Sequence, residues 1–250
     1  MRLFKQCNAA FRFLTVIPLP GTSGTDLEDL RGALLFFPVV GMGLGFISGA
    51  AAWLAWQFLP PLVAAVVVTF VLLSFSGALH LDGLADCADG FFSARERGRM
   101  LEIMRDSRIG VMGVVAVVMI VLLKVSVLSV LERDHAVRAA FLMPVAGRTA
   151  LVMMISLLPY VRKEGGLASP FYCTRSSWPL LLSLMLLFAS GFVAMGIQGL
   201  IAGLVVMLVV FLFSRLCRRK IGGATGDTLG ASCELAETVI PFLLLPNFFI

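Results

Sequence analysis

The segment His80-Leu-Asp82-Gly-Leu-Ala-Asp86-Cys-Ala-Asp89-Gly90 places three carboxylates four and then three residues apart. On an α-helix, which turns about 100° per residue, they fall within an arc of about 60°. Three like charges on one stripe repel each other and require compensation. Carboxylate oxygens are hard ligands, so a divalent cation such as Mg²⁺, Mn²⁺ or Ca²⁺ is the natural partner. A lone Asp there would read as a solvated loop acid; the shared stripe favours a ligand set. Directly downstream, Arg95, Arg97, Arg99, Arg105 and Arg108 interleave with Glu102 and Asp106, themselves four apart. Metal-binding acids beside arginines suit a phosphorylated substrate, whose oxygens the metal bridges and the guanidinium forks neutralise. The plainer reading is a surface helix laced with ion pairs.

A second polar segment, residues 221–237, is rich in small residues and carries Thr225, Asp227, Glu234 and Glu237. Its backbone is free to approach a phosphate or nucleotide. The alternatives are simple chain reversal and, for Glu234, stabilisation of a helix start. Arg148 lies inside an apolar run. An intramembrane arginine is costly, so it is either functional or half of an inward-facing ion pair. Lys124 reads as a pairing residue. His80, beside Asp82, could donate to a phosphate or serve only the fold. The five cysteines form no CxxC and no cluster with the two histidines, which argues against a disulfide framework and a zinc site.

These residues need helices that cross lipid. The chain is 59% hydrophobic and 14% charged, against about 45–50% and 25% for soluble domains. Apolar runs at 32–59, 62–79, 109–131, 139–159, 178–197, 200–214 and 235–250 predict an all-α polytopic membrane protein of about seven transmembrane helices. One catalytic domain spans 1–250, with no internal repeat. With the N-terminus in the cytoplasm, sixteen of the 20 lysines and arginines fall on the cytoplasmic side and only Arg133 and Arg138 outside. That split obeys the positive-inside rule. It gathers 80–108, 160–177 and 215–234 on one face. The charge of +5 then reflects cytoplasmic arginines, and nucleic acid is set aside. Phe11 to Pro20 is short and broken by prolines, so it reads as an interfacial or re-entrant segment in place of a signal peptide.

The order Asp86-x-x-Asp89-Gly90, Ala94-Arg95, Gly98-x-x-x-Glu102-x-x-x-Asp106 is similar to the CDP-alcohol phosphotransferases of phospholipid synthesis. One extra residue precedes Ala-Arg, the next gap is shorter, and Glu102 replaces an Asp. A fuller match exists. His80-Leu-Asp82-Gly-Leu-Ala-Asp86, Asp89-Gly-Phe-Phe-Ser-Ala-Arg95, Leu101-Glu-Ile-Met-Arg-Asp106-Ser-Arg108, Thr225-Gly-Asp227-Thr-Leu-Gly-Ala231 and Phe13-Leu-Thr-Val-Ile-Pro18-Leu-Pro20 resemble the cobalamin synthases, the adenosylcobinamide-GDP ribazoletransferases, over nearly the whole chain.

The resemblance implies a Mg²⁺-dependent phosphotransferase of the bacterial inner membrane with its active site facing the cytoplasm. It would join adenosylcobinamide-GDP to α-ribazole, or its 5′-phosphate, in nucleotide-loop assembly of cobalamin and release GMP. Mg²⁺ is expected on Asp82, Asp86, Asp89 and Asp106, with Asp89 favoured as base among the catalytic acids. Arg95, Arg105 and Arg108 are expected on phosphate, and Thr225 to Glu234 on guanosine or a second metal. Among rivals, a transporter would carry acids deep in its spans, and a scaffold would leave the stripe unexplained. A homo-oligomer stays open.

Overall fold

Lipid offers no hydrogen bonds to a bare peptide, so apolar runs of this length close their amides within helices. The computed structural model describes residues 2–21, 23–162, 165–173 and 176–245. These residues form α1 (Arg2–Leu14), α2 (Leu27–Ala33), α3 (Phe37–Phe58), α4 (Pro61–Phe75), α5 (Leu79–Phe91) and α6 (Arg97–Ile103). They continue with α7 (Val111–Val130), α8 (Arg133–Leu157), α9 (Trp178–Met195), α10 (Ile197–Ile221) and α11 (Gly226–Phe242). Short 3-10 turns lie at Leu34–Phe36 and Ser169–Tyr172.

The chain is all-α, with fewer full-length spans than the apolar runs suggest. Five stretches are long and apolar enough to cross a membrane: Leu27–Phe58, α7, α8, α9 and α10. Counting α4 with α5 gives six. Two runs make the difference. The run 62–79 stops at Phe75, because Gly77 and Ala78 take φ of 57° and 60° and α5 leaves α4 at 89°. The left-handed conformation at a non-glycine residue costs about 1–3 kcal/mol, so the surrounding fold imposes this bend. The last run belongs to α11, which starts earlier than its apolar stretch and carries Glu234 and Glu237. Residues 246–250 of that run lie outside the described residues.

Helix α8 is the axis of the bundle: 83% of its apolar window is buried, against 28% for the lipid-facing α7. It packs against α3, α9 and α11. Helices attract each other in lipid through close packing, which small residues permit. Gly41, Gly45 and Gly49 form a row four residues apart on α3 facing α8. A Cβ at Gly45 would sit 2.3 Å from the Phe141 carbonyl oxygen.

Alternating helix directions bring the starts of α7, α9 and α11 and the ends of α8 and α10 to one end of the bundle, with α5 and α6. Links between segments knit this end together. An isolated parallel bridge joins Tyr160 to Ala224, through Ala224 N–H to Pro159 O at 2.8 Å and Val161 N–H to Ala224 O at 3.0 Å. Lys220 Nζ donates to Phe91 O at 2.9 Å, and Arg218 to Leu157 O at 3.1 Å. Both cations thus sit on helix C-termini, where the dipole favours them.

Gly45→Leu forces α3 off α8. Overpacking of this kind costs about 1–3 kcal/mol, so the detergent-solubilised variant should unfold several degrees earlier in a thermal-shift assay or elute as aggregate. An unchanged transition would show that the close approach is unimportant.

Candidate active site

The stripe of acids does lie on a helix, α5, and each acid has a different setting. Asp82 is exposed, while Asp86 and Asp89 are half-buried. Gly83, on the neighbouring face of α5, lets the start of α11 come close; a Cβ there would stand 2.7 Å from the Asp227 carbonyl oxygen. Asp227 therefore joins Asp82 and Asp86. It is fixed by an ion pair with Arg162 and by the Thr225 hydroxyl, which donates to it at 3.2 Å. Arg162 reaches this position because the Tyr160–Ala224 bridge aligns its strand-like segment with the approach to α11. It also donates to Met104 O at 3.3 Å.

Charge repulsion is visible here. Burial, then the charges of Asp227, Asp82 and Asp89, push the Asp86 carboxyl up to about 7, with Arg162 opposing. Asp227 is also raised, by burial first, with Arg162 again opposing. One guanidinium serves several carboxylates, and that imbalance is what a divalent cation would correct.

Asp89 and Asp106 are committed elsewhere. Asp89 accepts the N–H of Gly110 at 2.6 Å and of Gly113 at 2.8 Å, so it caps the start of α7. Asp106 accepts from Arg108 at 2.7 Å in an exposed loop, and Arg108 holds its carboxyl down to about 2. Among the described residues no three His, Cys, Asp or Glu side chains form a ready metal cage. Mg²⁺ commonly keeps several waters and takes only one or two carboxylates plus substrate phosphates. The pair Asp82 and Asp227, on one cavity wall, fits that mode, whereas a four-acid cage of Asp82, Asp86, Asp89 and Asp106 is not assembled among the described residues.

The arginines divide likewise. Arg105 and Arg162 line one cleft with Arg97, Leu101 and Glu102. Arg95 lines another, with Glu96 and Arg99. Glu102 is paired to Arg99 at 2.7 Å, both well exposed, which is the plain surface ion pair. Thr225 is the N-cap of α11, bonded reciprocally with Thr228. His80 is buried against α11, its Nδ1 3.4 Å from Cys233 Sγ, and it lines the same cavity as Asp82 and Asp227. Arg148 and Glu234 take the structural reading. Lys124 Nζ lies 2.7 Å from Glu234 and 2.9 Å from Glu237, and Arg148 lies 2.6 Å from Glu237. All four are buried.

Arg162 is the site residue that sequence reasoning missed. It follows an apolar run as one basic residue among many, and only the pairing of 159–161 with 224 marks it out. One cavity is lined by Asp82, Asp227 and Arg162 and also by Tyr160, Phe13, Phe37 and Phe171.

Fold and site together define a polytopic helical membrane protein with a carboxylate–guanidinium cleft at one end of its bundle. The family model described as "CobS: Cobalamin-5-phosphate synthase" matches residues 6–245, and the chain belongs to that family. Relatives named adenosylcobinamide-GDP ribazoletransferase include one from Syntrophobacter fumaroxidans, 39% identical over 95% of this chain and 97% of its own. Another, from Clostridium acetobutylicum, is 37% identical over 95% and 94%. A third, from Klebsiella pneumoniae strain 342, is 37% identical over 97% and 100%. No solved structure matches the chain.

Two outcomes follow from the charges. The Asp86 carboxyl is raised in the fold, so the folded state loses stability as pH climbs from its ordinary value of 3.8 to about 7 and is flat above that. Asp86→Asn removes the penalty. In EDTA the variant should melt higher than wild type at pH 8, and the gap should close toward pH 4. A gap independent of pH would contradict the repulsion. Glu237→Ala leaves Arg148 buried without a counter-charge, which costs about 3–5 kcal/mol; loss of folded protein, rescued in part by Arg148→Met, is the expected result.

Proposed function

We propose that this chain is the enzyme that joins adenosylcobinamide-GDP to α-ribazole or its 5′-phosphate, the nucleotide-loop assembly step of cobalamin biosynthesis. The observation that carries the chemistry is the meeting of Asp82, Asp227 and Arg162 on the wall of one cavity, with the Asp86 carboxyl near enough to feel all three charges. The names of the full-length relatives supply the substrates. The 3′-hydroxyl of the ribazole attacks the phosphorus attached to the cobinamide arm. The new O–P bond forms as the bond to the GMP phosphate breaks, and GMP leaves with the electron pair. The hydroxyl proton passes to a carboxylate.

Asp86 is the better base. Its carboxyl stands within the field of Asp82, Asp227 and Arg162, whereas both oxygens of Asp89 accept backbone amides. Arg105 and Arg162 line the cleft that would receive the diphosphate, and Arg162 Nε is a buried donor with no partner among the described residues. Asp82 and Asp227 would hold Mg²⁺, which when bound supplies charge neutralisation to the diphosphate oxygens. The sixteen basic residues that share the side of the acids support a cytoplasmic site, and the family resemblance supports the bacterial inner membrane.

The test is GMP release coupled to cobalamin formation by purified protein in liposomes with Mg²⁺. Asp86→Asn should lose about 100-fold or more, as removal of a general base does, with Asp82→Asn and Asp227→Asn also strongly impaired. Asp89→Asn keeps one acceptor oxygen and should stay within about tenfold of wild type. Near-normal turnover in all three impaired variants would sink the site, and failure of wild type with every substrate and lipid present would sink the reaction.

A further inference from the structure

The cavity that Asp82 and Asp227 line also holds an aromatic chamber. The Phe171 ring stands 4.8 Å from Phe13 at 69° and 5.0 Å from Phe37 at 71°. Both are edge-to-face contacts between segments far apart in sequence. Leu79, Leu151 and Leu229 line the same space. The cavity measures about 110 Å³, room for roughly seven to eleven waters at about 10–15 Å³ each.

Size and polarity select the occupant. Four base or macrocycle ring systems enter the proposed reaction: a corrin, the adenine of its adenosyl ligand, a guanine and the benzimidazole of ribazole. A corrin with its side arms exceeds this space many times over. Guanine and adenine carry donors and acceptors on their edges. The polar lining is His80, Asp82, Tyr160, Arg162 and Asp227. Burying those edges against Phe13, Phe37, Leu151, Phe171 and Leu229, which offer no partner, is costly. The benzimidazole is a flat, largely apolar bicycle whose faces and edges suit phenylalanine rings. With that base inside, its ribose emerges at the rim, where Asp82 and Asp227 stand.

We infer that the chamber of Phe13, Phe37 and Phe171 is the base-binding subsite for the nucleoside acceptor, and that it selects flat apolar bases. The inference rests on the proposed reaction for its substrate, and the chamber orients the 3′-hydroxyl toward the acids. Phe171, Phe13 and Leu151 are thereby specificity determinants, and they take no part in proton transfer.

The experiment has two readouts on full-length protein in detergent. The first is equilibrium dialysis of labelled α-ribazole, corrected for empty micelles. The second is steady-state kinetics with each substrate varied in turn. Phe171→Ala, and Leu151→Phe, which fills the chamber, should each weaken α-ribazole binding and raise its KM about tenfold or more. The KM for adenosylcobinamide-GDP should stay within about twofold, with the melting transition monitored to exclude unfolding. On wild type, replacing the benzimidazole by adenine in the acceptor should cost a comparable factor, a result that needs no variant. Equal shifts in both KM values, or unchanged α-ribazole binding in both variants, would overturn the subsite. If wild type binds α-ribazole through Phe171 but forms no cobalamin, the reaction falls and the subsite stands.

Discussion

Two carboxylates on α11 hold the bundle in register. Glu234 and Glu237 together neutralise Lys124 from α7 and Arg148 from α8, at 2.6–2.9 Å. Two cations and two anions cancel. Any slip of one helix by a turn would leave a charge alone in a low-dielectric interior, which is far more costly than a lost apolar contact. Such a network adds little net stability over apolar packing. What it enforces is one relative position of three helices. The polar end inherits that position. Asp227 precedes Glu234 by seven residues, two turns along the same face of α11 and about 10 Å away. Fixing Glu234 inside the bundle therefore fixes Asp227 at its end, against Gly83 of α5.

The acids divide their labour by their neighbours. Asp89 spends both oxygens on the first amides of α7, so the same stripe that carries the chemistry also anchors the next helix. Asp86 is left with repulsion from Asp82, Asp89 and Asp227. The fold tolerates this strain because α5 is clamped at several points: Gly230 of α11 abuts the His80 backbone, and Lys220 caps the C-terminus.

Much of this was legible in the sequence, and the rest was not for identifiable reasons. The helical stripe followed from spacing alone, because i, i+4, i+7 has one meaning on a helix. The alternatives weighed for Arg148 included the ion pair that the fold forms, and Lys124 was read as a pairing residue, since a charge in an apolar run must find a partner; Glu234, weighed as a helix-start residue, pairs with Lys124 instead. The bend between α4 and α5 was hidden: Gly77-Ala78 differs little in hydropathy from a continuous span, and only backbone conformation reveals the break. The partners of Asp89 were hidden too, because capping depends on where the start of α7 lands in space. Arg162 was one arginine among many until the 159–161 segment paired with 224.

The aromatic chamber ties the site to the membrane surface. Its outer wall is Phe13, in the last turn of α1, a helix that buries Ala9, Ala10 and Leu14 while leaving Leu3 and Phe4 exposed. Such a helix, with Arg2 and Lys5 interleaved among exposed apolar residues, has the pattern of one that lies in a membrane interface. Arg12 locks the following turn by donating to Leu19 O at 2.7 Å and to Ser23 O at 3.2 Å. Phe13 is thus held from two sides, by the bundle through Phe37 and Phe171 and by the bilayer through the rest of α1. A soluble enzyme would need a further layer of protein to hold that wall. Here the bilayer supplies it, which gives a physical reason for a polar phosphoryl transfer to be built on a polytopic membrane bundle.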